Sequence, residues 1–180
     1  MTRVPELAIA SLSSEQKRVR DDIAGPRGGQ ASGPFGVWLR VPEIADAANR
    51  LGNSLRLNGR IERHLFELMV LVVARQWSAH YAFHVHEEHA REAGLDASVI
   101  DAIRGRRRPD FARADERLIY DTVSELIETK ALSEARYQEA VAALGLDRVI
   151  ELVAAVGFYT MVAITLNAFE VPARGDKRLP

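Results

Sequence analysis

The sequence predicts an all-α protein, a single domain built as a multi-helix bundle. Three observations carry that prediction. Apolar residues recur at three- and four-residue spacing along most of the chain. Those stretches open on Ser, Asp or Pro and close on Gly or Asn-Gly, the punctuation of helix ends. No apolar–polar alternation of strand length occurs. A chain of 180 residues buries about 70% of its unfolded surface, enough for one core.

The elements follow in order. Residues 1–12 read as a lightly ordered arm. Ser13-Ser14-Glu15-Gln16 is a capping box, opening a helix to about Ala24 with Val19 and Ile23 as its apolar pair. Gly25 to Pro34, GPRGGQASGP, excludes regular structure and by composition alone is a linker. Pro42 suits the first turn of a helix to about Leu57, whose inner stripe is Ile44, Ala47, Ala48, Leu51 and Leu55. Asn58-Gly59 stops it. A helix from about Ile61 to Gln76 contains Leu65 to Ala74, apolar at every position except Glu67. A helix that is apolar all round belongs in a core.

Ser78 is placed to cap the next helix, which Gly94 ends. Asp96 opens a short helix to about Arg104, and Gly105-Arg106-Arg107-Arg108-Pro109 is a loop. Helices follow at about 113–129, with Leu118, Ile119, Val123, Leu126 and Ile127 apolar, and at 133–144, capped by Ser133 and closed by Gly145. The last helix runs from Asp147 to about Phe169. It is apolar around its circumference, which suits a central or subunit-contacting position. The polar tail from Pro172 is expected to fray.

Chemistry concentrates between Glu67 and Gly94, which hold four of the five histidines. Glu67 is a lone carboxylate in an apolar helix, where ionisation is penalised without a partner. With residues 77–93 on a helix at about 100° per residue, Ala79, Ala82, Phe83, His86, Ala90 and Ala93 share one side. Trp77, His80, Tyr81, His84 and Glu88 share the other. His86 is thus centred on the small face that approaches a neighbouring helix. Two readings stand: an acid–base pair of Glu67 with His86, or a hydrogen-bonded core histidine beside a structural carboxylate.

The stretch ELMVLVVARQWSAHYAFHVHEEHAREAGL resembles the signature region of the carboxymuconolactone decarboxylase family. Glu67 matches the early Glu, Trp77 and Tyr81 the Trp-x-x-x-Tyr, and His86 the histidine eight residues before Gly94. Gly25 to Gly52 and Val156 to Pro172 are similar to the family's flanking segments. The resemblance therefore divides the chain into an N-terminal arm and helix (1–24), a decarboxylase-like helical domain (25–172) and a tail (173–180). It implies an AhpD-like fold, a substrate that is a small carboxylated lactone of aromatic degradation, and neither metal nor organic cofactor. It also implies a homo-oligomer, trimer or hexamer, with sites near subunit contacts.

Under this resemblance His86 is the proton donor and Glu67 its partner. Trp77, His80, Tyr81 and His84 belong to the substrate side, and Arg27 or Arg75 holds the carboxylate, since a guanidinium can grip one bidentately. The loop bearing Arg27 is expected to fold over the active-site entrance. Two departures matter. The family's peroxidase branch has cysteines seven and four residues before the histidine, where this chain has Ala79 and Ala82; it contains no cysteine at all, so thiolate chemistry is excluded. Many decarboxylase-branch sequences read Tyr-Glu-Trp where this one reads Tyr81-Ala82-Phe83. That leaves open a non-catalytic oligomerisation or ligand-binding protein of the same fold.

Other classes find less support. A formal charge of −1 argues against a nucleic-acid binder. The arginine loop from Arg104 to Arg108 is then a solvated or oligomer-contacting surface, or a means of concentrating an anionic substrate. No uninterrupted apolar run approaches the ~18 residues of a membrane span, and Met1 to Ser14 lacks a secretory pattern, so the expected address is cytoplasmic. His86-Glu87-Glu88-His89 is one residue short of the zinc-protease spacing, and His80 with His84 lacks an evident third ligand. No phosphate-binding Gly-rich loop or nucleophile elbow is present.

Overall fold

The computed structural model describes residues 2–25, 29–173 and 178–180. Among them there is no strand, and the helices run α1 (Ser14–Ala24), α2 (Pro34–Trp38), α3 (Pro42–Leu57), α4 (Arg63–Gln76), α5 (His80–Glu92), α6 (Ala97–Arg104), α7 (Ala114–Thr129), α8 (Glu134–Leu144) and α9 (Leu146–Ala168). The architecture is built around α4, which packs against α5, α6, α7 and α9. Its sequence dictates that place: every residue from Leu65 to Arg75 is buried, Glu67 included. Burying a Leu, Val, Met or Phe side chain contributes about 1.5–3 kcal/mol, so α4 alone anchors much of the core.

Helix ends form where the local chemistry provides for them. The Ser13 hydroxyl accepts from Gln16 N–H while the Gln16 side chain accepts from Ser13 N–H, completing the capping box. The Asp96 carboxylate accepts from Ser98 N–H at the start of α6, and the Ser133 hydroxyl from Arg136 N–H at the start of α8. Gly52 lets α3 meet α9 closely, since a Cβ there would lie 3.0 Å from the Phe158 ring. A larger residue would force the two helices apart.

Several expectations are corrected. Residues 34–38 form a helix rather than part of a loop, with Pro34 in its first turn and Phe35 and Trp38 buried. The inner stripe of α3 is Ala45, Ala48, Asn49, Gly52 and Leu55, while Ile44 is 48% and Leu51 45% exposed. Small residues face α1, α2 and α9 because close helix contact selects for size over hydrophobicity; the larger apolar residues were left on the outer face. Ser78 does not cap α5. It lies at φ 48°, and Ala79 is the N-cap, without a side-chain cap bond. The Ser78 hydroxyl instead accepts from Arg75 and Arg106.

Both ends of the chain are docked. Leu12 is buried, and Arg3 N–H donates to Phe169 O at 3.0 Å while its guanidinium pairs with Glu170. At the other end Leu179 is buried, its N–H donates to His80 Nδ1 (2.9 Å), and Pro180 O accepts from Arg75 Nη2 (2.6 Å). Arm and tail thus cover backbone groups and core side chains that would otherwise meet water. In the arginine loop, Arg104 pairs with Glu87 and Asp101, and Arg108 with Asp121, so much of its charge is compensated within the molecule.

The helix α9 is long and apolar enough, by length and composition, to cross a membrane, with a mean hydropathy of 2.0 over its most apolar window. This corrects the count of uninterrupted runs, because scattered polar residues do not bring the average down. In the bundle 61% of that window is buried, as in a core helix. Its remaining face carries Leu146, Ile150, Val153, Met161 and Ile164, all exposed.

Candidate active site

His86 on α5 lines a cavity of about 400 Å³, and Glu67 on α4 meets it from behind, fully buried. The helices cross so that His86 Nδ1 lies 2.6 Å from Glu67 Oε2. An ionised carboxylate only accepts, so the imidazole N–H is on Nδ1 and Nε2 is the nitrogen left for the cavity. Edge contacts with the Tyr159 and His89 rings hold the imidazole in place, at centroid distances of 5.1 and 5.7 Å.

Two arginines flank the carboxylate without saturating it. Arg63 Nε lies 2.8 Å and Arg56 Nε 4.0 Å from Glu67 Oε1. Neither is aligned for a hydrogen bond, and both Oε1 and Arg56 Nε are buried without a hydrogen-bond partner among the described residues. Burial pushes the Glu67 carboxyl up, but His86, Arg63 and Arg56 outweigh it, and the net direction is down. For His86 burial is the largest influence and pushes the imidazole down; Glu67 opposes, and Arg56 and His89 add to the lowering. The net direction is down. The charge balance supports it, since Arg63 and Arg56 already neutralise Glu67 and a protonated His86 would add a buried positive charge. In the free protein, then, His86 is set up as a neutral base.

The walls come from the glycine-rich segment and from α2, α3, α5 and α9. Gln30, Ser32, Pro34 and Phe35 contribute from the glycine-rich segment and α2, Gly52 and Arg56 from α3, and Phe158, Tyr159, Val162 and Leu166 from α9. The described part of the glycine-rich loop therefore borders the cavity. It is held there by Gly33, at φ +66°, which sits against the Tyr81 ring, and by a 3.2 Å hydrogen bond between the Ser32 and Tyr81 hydroxyls.

The structure brings together only part of the expected set. His86 and Tyr81 line the cavity, with Glu67 bonded to His86 behind its wall. Arg27 lies outside the described residues. Arg75 is two turns beyond Glu67, about 12 Å along the helix, and donates to Arg104 O, Ser78 Oγ and Pro180 O instead. His80 accepts from Leu179 N–H, and burial, with Arg178, His84 and Arg75 nearby, pushes it down. His84 pairs with Glu87 at 3.6 Å, and the Trp77 carbonyl accepts from Asn167. Of these four, Arg75 and His80 hold the C-terminal tail, Trp77 meets α9 and His84 pairs within α5, and none of them lines the cavity. Among the described residues no cluster of three or more His, Asp or Glu is placed to hold a metal ion.

Arg56, Phe158 and Tyr159 were missed. Arg56 shares a helix face with Gly52, four residues earlier, and that i,i+4 relation on the small-residue side was the available signal.

The helices and their arrangement define an all-α protein of the AhpD-like fold. No family model and no curated protein matches the chain. Among solved structures it is similar to an uncharacterized peroxidase-related protein from Silicibacter sp. TM1040, with a TM-score of 0.75 at 16% identity, over 99% of this chain and 96% of that one. At that identity the likeness concerns the fold. The cysteine-free sequence keeps thiol chemistry out of this cavity.

Proposed function

We propose that the protein is a cofactor-independent acid–base enzyme acting on a small carboxylated substrate, in the manner of the decarboxylase its sequence resembles. The observation that supports this most is the buried His86–Glu67 pair opening onto a cavity large enough for a single-ring ligand. In a decarboxylation the bond to the leaving carboxylate breaks, CO₂ departs, and the electron pair remains as an enolate. A proton must then reach carbon. His86 first takes a proton from solvent at Nε2 and afterwards delivers it to that carbon, while Glu67 holds Nδ1–H and offsets the imidazolium charge. The test is CO₂ release from candidate carboxylated lactones by the wild type and by His86→Ala. Activity undiminished in the variant would remove His86 from the chemistry.

A second reading is a ligand-binding protein without turnover. Ala82, where many related sequences have Glu, lines this cavity and supplies no proton-transfer group. Ligand binding with no product from any lactone would favour it. We also propose that the chain assembles with copies of itself through the apolar face of α9, where Leu146, Ile150, Val153, Met161 and Ile164 are exposed. Monomers seldom leave so many large apolar residues in one patch.

A further inference from the structure

We infer that Arg56 is the anion-recognition residue of the cavity, and that the group it holds is a carboxylate the reaction leaves in place. The inference rests on reading this cavity as the substrate site. Its first support is geometric. The Arg56 side chain is 22% exposed and lines the cavity, yet its Nε is a buried donor without a hydrogen-bond partner among the described residues. Its nearest carboxylate, Glu67, is 4.0 Å away and already engaged by His86 at 2.6 Å and Arg63 at 2.8 Å. A guanidinium has five donors in a fixed fork, and burying donors unpaired is costly.

The second support is charge. Around His86 the facing ionisable groups are Glu67 and Arg63 on α4, Arg56 on α3, His89 and Tyr81 on α5, and Tyr159 on α9, with Glu88 exposed at the cavity rim. Near the pair, two arginines face one carboxylate, an excess of one positive charge. A bound carboxylate would cancel it. The remaining wall, formed by Phe35, Phe158, Val162 and Leu166, suits a flat apolar body.

Chemistry decides which carboxylate. A guanidinium clamped on a departing carboxylate stabilises the ground state, because that charge has left the group once CO₂ forms, and only interactions stronger in the transition state accelerate a step. Arg56 therefore serves a carboxylate that persists. Its docking cancels the positive charge that adds to burial in disfavouring imidazolium, so binding draws a proton onto His86 and converts the resting base into the donor the reaction needs.

The experiment is equilibrium calorimetry with phenylacetate and its neutral counterpart phenylacetamide, near neutral pH in buffers of different ionisation enthalpy. The wild type should bind phenylacetate at least about tenfold more tightly than the amide, the worth of one charge-assisted hydrogen bond, and take up a proton on binding. Arg56→Gln should lose that preference while its amide affinity stays within about twofold; Arg56→Lys, which keeps the charge, should fall between. His86→Asn should abolish proton uptake while keeping the acid-over-amide preference. Equal wild-type affinities, no wild-type proton uptake, or an unchanged preference in Arg56→Gln would overturn the inference. Should Arg56→Gln not fold, the wild-type comparison and Arg56→Lys decide. Failure of every lactone to turn over, with the binding pattern intact, would count against decarboxylation and not against Arg56.

Discussion

The hydrogen bond from His86 Nδ1 to Glu67 Oε2, 2.6 Å long and buried between α4 and α5, ties the most apolar helix of the molecule to its histidine-rich one. It spans nineteen positions of sequence and belongs to both core and cavity. Removing either partner therefore touches stability and chemistry at once, and the two effects separate by their size and pH dependence.

His86→Ala should lower turnover by about 10²–10⁴-fold, the range for a positioned acid or base. Glu67→Gln should slow the reaction and move the pH–rate profile to lower pH, since the charge that favours imidazolium is gone. The double variant should be little worse than the worse single one, because the residues act as a unit. Steady-state kinetics on folded protein checks all three; full activity in either single variant would leave the pair a structural element only.

Stability should fall on acidification in two overlapping stages. The folded-state value of His86 is depressed below the ordinary 6.5, so below that pH the unfolded chain takes up a proton that the folded one refuses, and stability drops towards the folded value. Glu67 is depressed below the ordinary 4.5, so its contribution, present above 4.5, is lost as pH falls through its lower folded value. Thermal melts of the wild type and His86→Asn across this range should show the first stage only in the wild type. Equal slopes between pH 6.5 and 5 would contradict it.

Gly33→Ala should loosen the cavity rim. A Cβ there would lie 2.6 Å from the Tyr81 ring, on a backbone at φ +66° that side chains rarely adopt. A cost of about 1–3 kcal/mol is expected, the range for such strain. Gly36→Ala, inside α2 with its nearest neighbour atom at 3.5 Å, should be neutral or mildly stabilising. Paired denaturant titrations measure the contrast, and a Gly33 variant as stable as Gly36→Ala would show the loop to be uncommitted.

Arg75→Ala should destabilise by about 1.5–3 kcal/mol, the range for losing a hydrogen bond to a charged group. It should release the Leu179–Pro180 tail without altering phenylacetate affinity, because Arg75 binds Arg104 O, Ser78 Oγ and Pro180 O and not the cavity. Limited proteolysis with calorimetry reads both. Weakened ligand binding at full folding would return Arg75 to the site.

Ile150→Lys, on the exposed face of α9, should shift the protein towards a 20.0 kDa species in sedimentation with its helicity unchanged. A wild type that is already monomeric at high concentration would remove self-association from the account.

The sequence by itself determined the all-α class and most helix ends, because these depend on contacts within one turn of chain: Ser13 with Gln16, Asp96 with Ser98, the apolar run from Leu65 to Ala74 interrupted only by Glu67. It also singled out Glu67 and His86, since a carboxylate inside an apolar helix and a histidine among alanines are local anomalies. Which face of α3 is inner was decided by close packing of small residues against α9, a choice that hydrophobicity alone reverses for Ile44 and Leu51. Only the tertiary structure brought Arg56 to Glu67 and turned Arg75 and His80 towards the chain's own tail. A long charged side chain looks alike in sequence wherever it points, and its partner is set by how whole helices cross.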